Sequence, residues 1–378
     1  MKFIHLSDLH LGKRLNEFSL IEDQEYILNK IIDVIDDEKP DAVIIAGDIY
    51  DKPVPSAESV RLFDDFLCSL ASRKLQVFVI SGNHDSAERI AFGARLMDKS
   101  GIHMAPVYDG NVAPVSLEDE YGTVDVYMLP FVKPAGVRRF FEDEEILSYN
   151  DAMRVCVQSM NVDGSRRNVL VTHQFVTGAM RSDSEDISVG GADNVDAAVF
   201  ADFDYTALGH IHRPQNAGAD NIRYCGTPLK YSFSECSHEK SVTVVELASA
   251  GEVMVRTAAL VPLHDMREIR GTYMELTDRK NYAGTAVDDY LHVTLTDEED
   301  IPDAIGRLRA VYPNIMKLDY DNKRTRSSSC VEAAEAVETK SPMELFAEFY
   351  EKQNNAAMSD EQRDFCEKLI SDVWEDVR

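Results

Sequence analysis

Three stretches near the start of the chain share one design. KFIHL (residues 2–6), DAVIIAGD (41–48) and LQVFVISG (75–82) are short apolar runs, and each stops at polar residues with lone pairs to offer: Asp8 and His10 after the first, Asp48 ending the second, Asn83 after the third. An apolar run of this length bounded by turn residues is how a buried strand reads, with its last side chains delivered to the C-terminal edge of a sheet. Between the runs the period changes. Ile21, Ile27, Leu28, Ile31, Ile32 and Ile35 recur at helical spacing until Pro40 stops the pattern, and Val60, Phe63, Phe66, Leu67 and Leu70 repeat it. A further helix is expected around Ala91, Leu96 and Met97. This alternation predicts a layered α/β architecture.

A second group of strands follows: VDVYMLP (124–130), NVLVTHQF (168–175), YTALGHIH (205–212), IRYCGTP (222–228) and SVTVVEL (241–247), with one helix between them near Asn150 to Met160. They are expected to close a two-sheet sandwich with the first group, giving a core domain over residues 1–262. REIRG, LHVTLT and MKLDY, with a helix around Ile305, Leu308 and Val311, read as a small α/β capping domain over 263–320. Residues 321–340, poor in aromatics and rich in small and charged residues, read as a linker. Ser341, Pro342 and Glu344, then Ser359 and Gln362, supply two helix starts, each followed by apolar residues on one face. Residues 341–378 are therefore expected to be a helical partner-binding segment, whose acidic residues Glu344, Glu348, Glu351, Asp360, Glu361 and Asp364 would meet a basic surface.

Composition narrows the function. A net charge of −28 excludes a surface that binds polyanions all over, so any nucleic-acid substrate must be gripped locally. Cys68, Cys156, Cys225, Cys236, Cys330 and Cys366 lie far apart with no C-x-x-C pair, which fits a reduced compartment and not a zinc finger. No run of about 18 uncharged apolar residues occurs, and Asp8 and His10 break any leader-like start, so a cytoplasmic protein without a membrane anchor is expected.

The strand ends carry the chemistry. Asp8 and His10, and again His210 and His212, are separated by one residue, which puts both side chains of an extended pair on one face. With Asp48, Asn83 and His173 they form a mixed nitrogen and oxygen donor set, gathered where open α/β sheets collect ligands. Such a set favours Mn²⁺, Fe²⁺ or Zn²⁺ over the oxygen shells of Ca²⁺ or Mg²⁺, and four histidines suffice for two ions. Gly47 and Gly82 directly precede Asp48 and Asn83, suiting tight turns and close backbone approach. His84 is left beside Asn83 to face a substrate as the proton donor or charge stabiliser for a leaving oxygen. Asp85 and Asp51 are expected to orient His84 or fix the turn. Lys13, Arg14 and Asn16 follow the first motif and are candidate phosphate contacts, with Arg213 and Lys230 as weaker ones. His5, His103, His238, His264 and His292 match no motif and read as ordinary core or surface histidines.

In order, D-x-H, G-D-x-x-D, G-N-H-D, a strand-end His and G-H-x-H resemble the calcineurin-like metallophosphoesterase superfamily, over roughly residues 1 to 250. Within it, GGADNVDAAVF, ALGHIHRPQ and YCGTPLKYSFSE resemble the nuclease subunits of bacterial SbcCD-type double-strand-break repair complexes. The fold implied is α/β, an α+β sandwich: a two-sheet metallophosphoesterase core flanked by helices, with the small α/β cap and a C-terminal helical tail. The resemblance implies that Asp8, His10, Asp48 and His212 hold one ion and Asp48, Asn83, His173 and His210 the other, with two Mn²⁺ in each copy of the chain and Mg²⁺, Fe²⁺ or Zn²⁺ as alternatives. Relatives from archaea and eukaryotes often carry a histidine at the position of Asp51. It further implies a DNA exonuclease and endonuclease active in end processing, repair and recombination, a homodimer through helices of the first domain, and an SbcC-type coiled-coil ATPase docked on the C-terminal helices. The sequence has no G-x-x-x-x-G-K-[ST] loop, so ATP hydrolysis would belong to that partner. The alternatives are a small-molecule phosphodiesterase or phosphatase with the same metal motifs, and a non-catalytic scaffold.

Overall fold

The computed structural model of the chain describes residues 1–185, 193–249, 252–299 and 301–323, with Met343, Phe346, Ala347, Tyr350, Met358, Ser359, Gln362, Arg363, Phe365 and Cys366. The expected linker, apart from its first three residues, and most of the two expected terminal helices, including their acidic residues, lie outside the described residues. Two six-stranded sheets form the core. In the first the order is Val253–Ala259, Ser241–Leu247, Lys2–Leu6, Ala42–Ala46, Gln76–Ile80, Ile102–Ala105. In the second it is Gln215–Ala217, Ala219–Tyr224, Tyr205–Gly209, Arg167–His173, Gly122–Leu129, Val115–Asp119. The central strands of both sheets run parallel, as in Lys2–Leu6 beside Ala42–Ala46 and Arg167–His173 beside Tyr205–Gly209, so their C-terminal ends open on one edge.

Period-two alternation explains the layers. Phe3, Ile44, Ala46, Phe78 and Ile80 of the first sheet meet Val126, Val169, Val171, Tyr205 and Ala207 of the second in one buried cluster, the filling of the sandwich. Their neighbours in sequence turn outward: Ile4, Leu6, Val43, Ile45, Val77 and Val79 pack under the helices Ile21–Glu38 and Ala57–Ser72 through Ile27, Ile31, Phe63 and Leu70. On the far side Tyr127, Leu129, Leu170 and Leu208 pack under the helix Tyr149–Ser159 through Met153 and Cys156. The order helix, sheet, sheet, helix is the sandwich that the alternation predicts.

Helix ends follow local chemistry. Ile21–Glu38 closes on Lys39, which takes φ 49° ahead of Pro40, and Tyr149–Ser159 starts on a reciprocal capping box between Ser148 and Asp151. The helix expected around Ala91, Leu96 and Met97 is two short ones, Ala87–Ile90 and Ala94–Met97, interrupted at Gly93 with φ 80°. Its apolar residues are largely unburied, with Phe92 86% and Leu96 77% exposed. Four strands, Ile102–Ala105, Val115–Asp119, Gln215–Ala217 and Val253–Ala259, escape the sequence reading because they are edges, half-exposed and without a continuous apolar run.

Met266–Gly271, Tyr290–Leu295 and Ile315–Tyr320 form a separate three-stranded sheet. Two compact units result: Met1–Ile269 with Gly284–His292 and Arg309–Lys317, and Arg270–Ala283 with Val293–Leu308 and Leu318–Arg378. In the second unit the backbone N–H of Gln362 donates to Ser359 Oγ and that of Ser359 donates to Gln362 Oε1, the reciprocal helix start that the sequence suggests. Among the described residues no helix is long and apolar enough to cross a membrane.

Candidate metal centre

The loops leaving the parallel strands are laced together by their backbones. The Asp8 N–H donates to the Gly47 carbonyl at 3.0 Å, and the His10 N–H to the Asp48 carbonyl at 3.0 Å. Within this lacing Asp8, His10, Asp48 and His210 all adopt positive φ, at 52°, 44°, 49° and 102°. Such conformations cost a non-glycine residue about 1 to 3 kcal/mol each and persist where the surroundings enforce them, typically at working sites. Gly47 has φ 87°, and a Cβ there would stand 2.5 Å from His173 Nδ1; a Cβ on Gly82 would collide with the Asp48 carboxylate.

Three groups of donors converge here, each with ligating atoms within 4.8 Å of one another: Asp8, His10 and His212; Asp8, Asp48 and His173; His10, Asp48 and His84. His10 Nε2 and His212 Nε2 face each other at 3.1 Å. Asp48 Oδ2 lies 3.4 Å from His173 Nε2 and 3.8 Å from His10 Nε2. Asn83 joins through Oδ1, 3.0 Å from His173 Nε2 and 2.9 Å from His210 Nδ1. All seven residues that the sequence nominates as ligands are thus brought together. Asp8, His10, Asp48, His173 and His212 are at most 2% exposed, and His210 is 9% exposed.

The electrostatics fit a cation. Burial raises the Asp8 carboxyl above the usual carboxylate range. Burial would raise Asp48 too, but the fields of His173, His10 and His84 and a hydrogen bond from His173 outweigh it and hold that carboxyl well below the range. Burial works against a charge on His173, yet Asp48 and Asp8 push it up to about 9, while burial pulls His210 down to about 3 and His10 well below its ordinary value. The Asp48 carboxylate in particular draws positive charge onto His173 at the centre of the site. A cluster of imidazole, carboxylate and amide donors of this kind fits a divalent transition-metal ion. His10 Nδ1 is itself buried without a hydrogen-bond partner.

His84 sits at the rim. Its N–H donates to Asp48 Oδ1 at 2.9 Å, and its Nδ1, 3.2 Å from the Asp51 carbonyl, donates there, which turns Nε2 toward Asp48 Oδ2 at 4.0 Å. Asp51 thus holds His84 through its backbone, while its carboxylate pairs with Lys13 Nζ at 2.7 Å. Asp85 takes the other expected role and fixes the turn: it accepts the N–H groups of Gly82, Ile49 and Tyr50 at 2.9, 3.1 and 3.0 Å. Burial and then the Asp48 charge push it up to about 6. Of the candidate phosphate contacts, Asn16 donates to the Met316 carbonyl, exposed Arg14 donates to the Glu17 carbonyl, Arg213 reaches Met180 Sδ, and Lys230 pairs with Asp265.

Sequence reasoning missed the residues behind His212. Its N–H donates to Glu185 Oε1 at 2.6 Å, and its Nδ1 lies 2.7 Å from Ser184 Oγ and 3.4 Å from Glu235 Oε1. Glu235 is paired in turn with Lys240 at 2.6 Å. Glu235 does end the stretch YCGTPLKYSFSE, but a Ser, a Glu and a Lys outside the apolar runs give no local sign of burial.

Comparison with known proteins places the chain in a family. Residues 1–214 match the family described as calcineurin-like phosphoesterase, and residues 262–354 match the Type 5 capsule protein repressor C-terminal domain. The chain is 31% identical over 378 residues, 98% of its own length and 98% of the relative's, to the SbcD subunit of the nuclease SbcCD of Staphylococcus epidermidis. Among solved structures it matches a dimetal phosphatase from Danio rerio with a TM-score of 0.39 at 10% identity, covering 70% of this chain and 98% of that one. It also matches the phosphoesterase Yfce from E. coli, with a TM-score of 0.27 at 12% identity, covering 69% and 100%.

Proposed function

Since the chain belongs to the calcineurin-like phosphoesterases and, over nearly its whole length, to the family of the SbcD nucleases, we propose that it is a two-metal DNA nuclease. The carrying observation is the convergence of seven donors on both sides of Asp48. Asp8, His10, Asp48 and His212 would hold one ion and Asp48, Asn83, His173 and His210 the other, with Asp48 shared and Mn²⁺ as the metal. Bound ions of this class activate a water and neutralise charge on the entering and leaving oxygens of a phosphodiester.

The chain's own residues do the rest. The Ala46 carbonyl accepts from His173 Nδ1 at 2.8 Å and so keeps Nε2 aimed into the site. Asn83 contributes an oxygen without adding negative charge, which leaves the centre electron-poor. His84, fixed at Nδ1 by the Asp51 carbonyl, would act as the doubly protonated imidazolium, giving its Nε2 proton to the leaving oxygen and keeping the Nδ1 hydrogen on that carbonyl. Lys13, paired with the Asp51 carboxylate at the same rim, would have to turn from it to meet an incoming phosphate.

The substrate is DNA, cut as a double-strand exonuclease and as an endonuclease on single strands and hairpins, and the partner is an SbcC-type ATPase docked on the C-terminal helices. An apolar hollow of about 320 Å³ in the tail, lined by Phe346, Tyr350, Met358, Phe365 and Cys366, supports a docking role for that segment. The exposure of Val60, Phe92 and Leu96 supports pairing of two copies through the first domain. The test compares hydrolysis of DNA and of bis-p-nitrophenyl phosphate with Mn²⁺, for wild type and His84→Ala. DNA cleavage that drops about 100-fold or more in the variant, with metal content unchanged, is expected. Hydrolysis of the small diester alone, even with the ATPase partner and ATP present, would replace the nuclease reading with a small-molecule phosphodiesterase.

A further inference from the structure

Lys240 is 5% exposed, and the three protons of its ammonium are all spent: Nζ donates to Glu235 Oε2 at 2.6 Å, to Thr227 Oγ1 at 2.7 Å and to the His212 carbonyl at 2.9 Å. Glu235 is fully buried, and its other oxygen accepts from Ser184 Oγ. Ser184 Oγ lies 2.7 Å from His212 Nδ1. Four side chains therefore form one chain of hydrogen bonds running from a buried ammonium to a histidine in the metal centre.

The direction of that chain is fixed at the Lys240 end. An ionised carboxylate only accepts, so the Ser184 hydroxyl proton points to Glu235. The serine oxygen is left to accept, so His212 Nδ1 carries the hydrogen and Nε2 carries the lone pair. Nε2 is the atom that faces His10 across 3.1 Å. We propose that Lys240, acting through Glu235 and Ser184, is a positioning residue that sets the His212 tautomer able to ligate a divalent cation. The inference rests on the reading of His212 as a metal ligand and deepens it.

Lys240 also supplies the positive charge that a buried carboxylate requires, since removing one partner of a buried pair leaves the other uncompensated. Its location adds a handle. Lys240 lines a cavity of about 480 Å³ whose walls include Leu229, His238, Leu260 and Met266. Truncating the side chain would vacate space beside that cavity, and rescue by a small amine tests whether the ammonium can be replaced.

The experiment uses the full chain. Mn²⁺ binding is measured by calorimetry, and the His212 ring nitrogens are observed by ¹⁵N NMR in metal-free protein, for wild type, Lys240→Ala, Ser184→Ala and His212→Asn. Wild type is expected to show hydrogen on Nδ1. Lys240→Ala and Ser184→Ala should lose that preference and weaken one Mn²⁺ site by about 10- to 100-fold, and ethylamine should restore Lys240→Ala but not Ser184→Ala. Ser184→Ala, a milder change, carries the test if Lys240→Ala does not fold. If His212→Asn binds Mn²⁺ as wild type does, the ligand reading fails and the inference falls with it. If His212→Asn loses an ion while folded Ser184→Ala keeps wild-type affinity and tautomer, the inference alone is overturned.

Discussion

The two halves of the centre hold their histidines by different means. On the His173 side the partner is the backbone: the Ala46 carbonyl takes Nδ1. On the His212 side the partners are the side chains of Ser184, Glu235 and Lys240. A backbone carbonyl cannot be removed by substitution, only displaced, so the first half is as robust as the loops that carry it. A side-chain relay can be lost one residue at a time, so the second half is where sequence change tunes the grip on an ion. Asp48 belongs to neither half alone, reaching His173 at 3.4 Å and His10 at 3.8 Å.

Asp48→Asn gives the largest expected effect, because it strikes both halves at once. It keeps the shape but removes the charge that the buried imidazoles share. Loss of hydrolysis by about 1000-fold or more, with metal content falling below half of wild type, is expected from Mn²⁺-dependent assays and elemental analysis. Should Asp48→Asn retain one full equivalent of metal bound as tightly as in wild type, Asp48 is not shared and the centre is two separate sites.

Gly47→Ala tests the backbone-held half without substituting any of the seven donors. The new methyl must stand 2.5 Å from His173 Nδ1 on a residue with φ 87°. A stability loss of about 1 to 3 kcal/mol is expected, together with loss of metal from the His173 side only. Equal weakening of both sites, read as two binding steps in calorimetry, would mean that the halves are mechanically one.

This contrast also explains what the sequence discloses. The seven donors are legible because each closes an apolar run, a signal confined to a few neighbouring residues. Their grouping needs only the rule that parallel strands present their C-terminal ends together. The relay is illegible for the opposite reason: Ser184 lies in a loop, Glu235 ends the one-turn 3-10 helix Phe233–Glu235 and Lys240 directly precedes the strand Ser241–Leu247, and all three acquire their environment from tertiary packing. Asp51 shows a subtler limit. Its position beside His84 is readable, but that the contact uses its carbonyl and leaves its carboxylate to Lys13 depends on loop geometry. Edge strands are lost because exposure removes the apolar pattern that marks their central neighbours.

His5 extends the comparison to a third way of holding a histidine, through the hydroxyl of Tyr205. It reads as an ordinary residue in KFIHL, yet it is fully buried between the sheets, its Nδ1 2.9 Å from Tyr205 Oη and its Nε2 without a partner. Burial, then the charge of Arg223, pulls its pKa from 6.5 down to about 3. The folded chain therefore refuses a proton that the unfolded chain accepts, so the stability His5 contributes is complete above about pH 6.5 and drains away as pH falls toward 3. Each unit of pH in that window costs up to about 1.4 kcal/mol, or about 2 kcal/mol by pH 5. His5→Gln stays neutral across the window, and the difference between its urea unfolding free energies at pH 7 and pH 5 should be smaller than wild type by about that amount. An unchanged difference would mean that the buried imidazole finds a way to charge, by water entry or by separation of the sheets, and that the layer between them is softer than its packing implies.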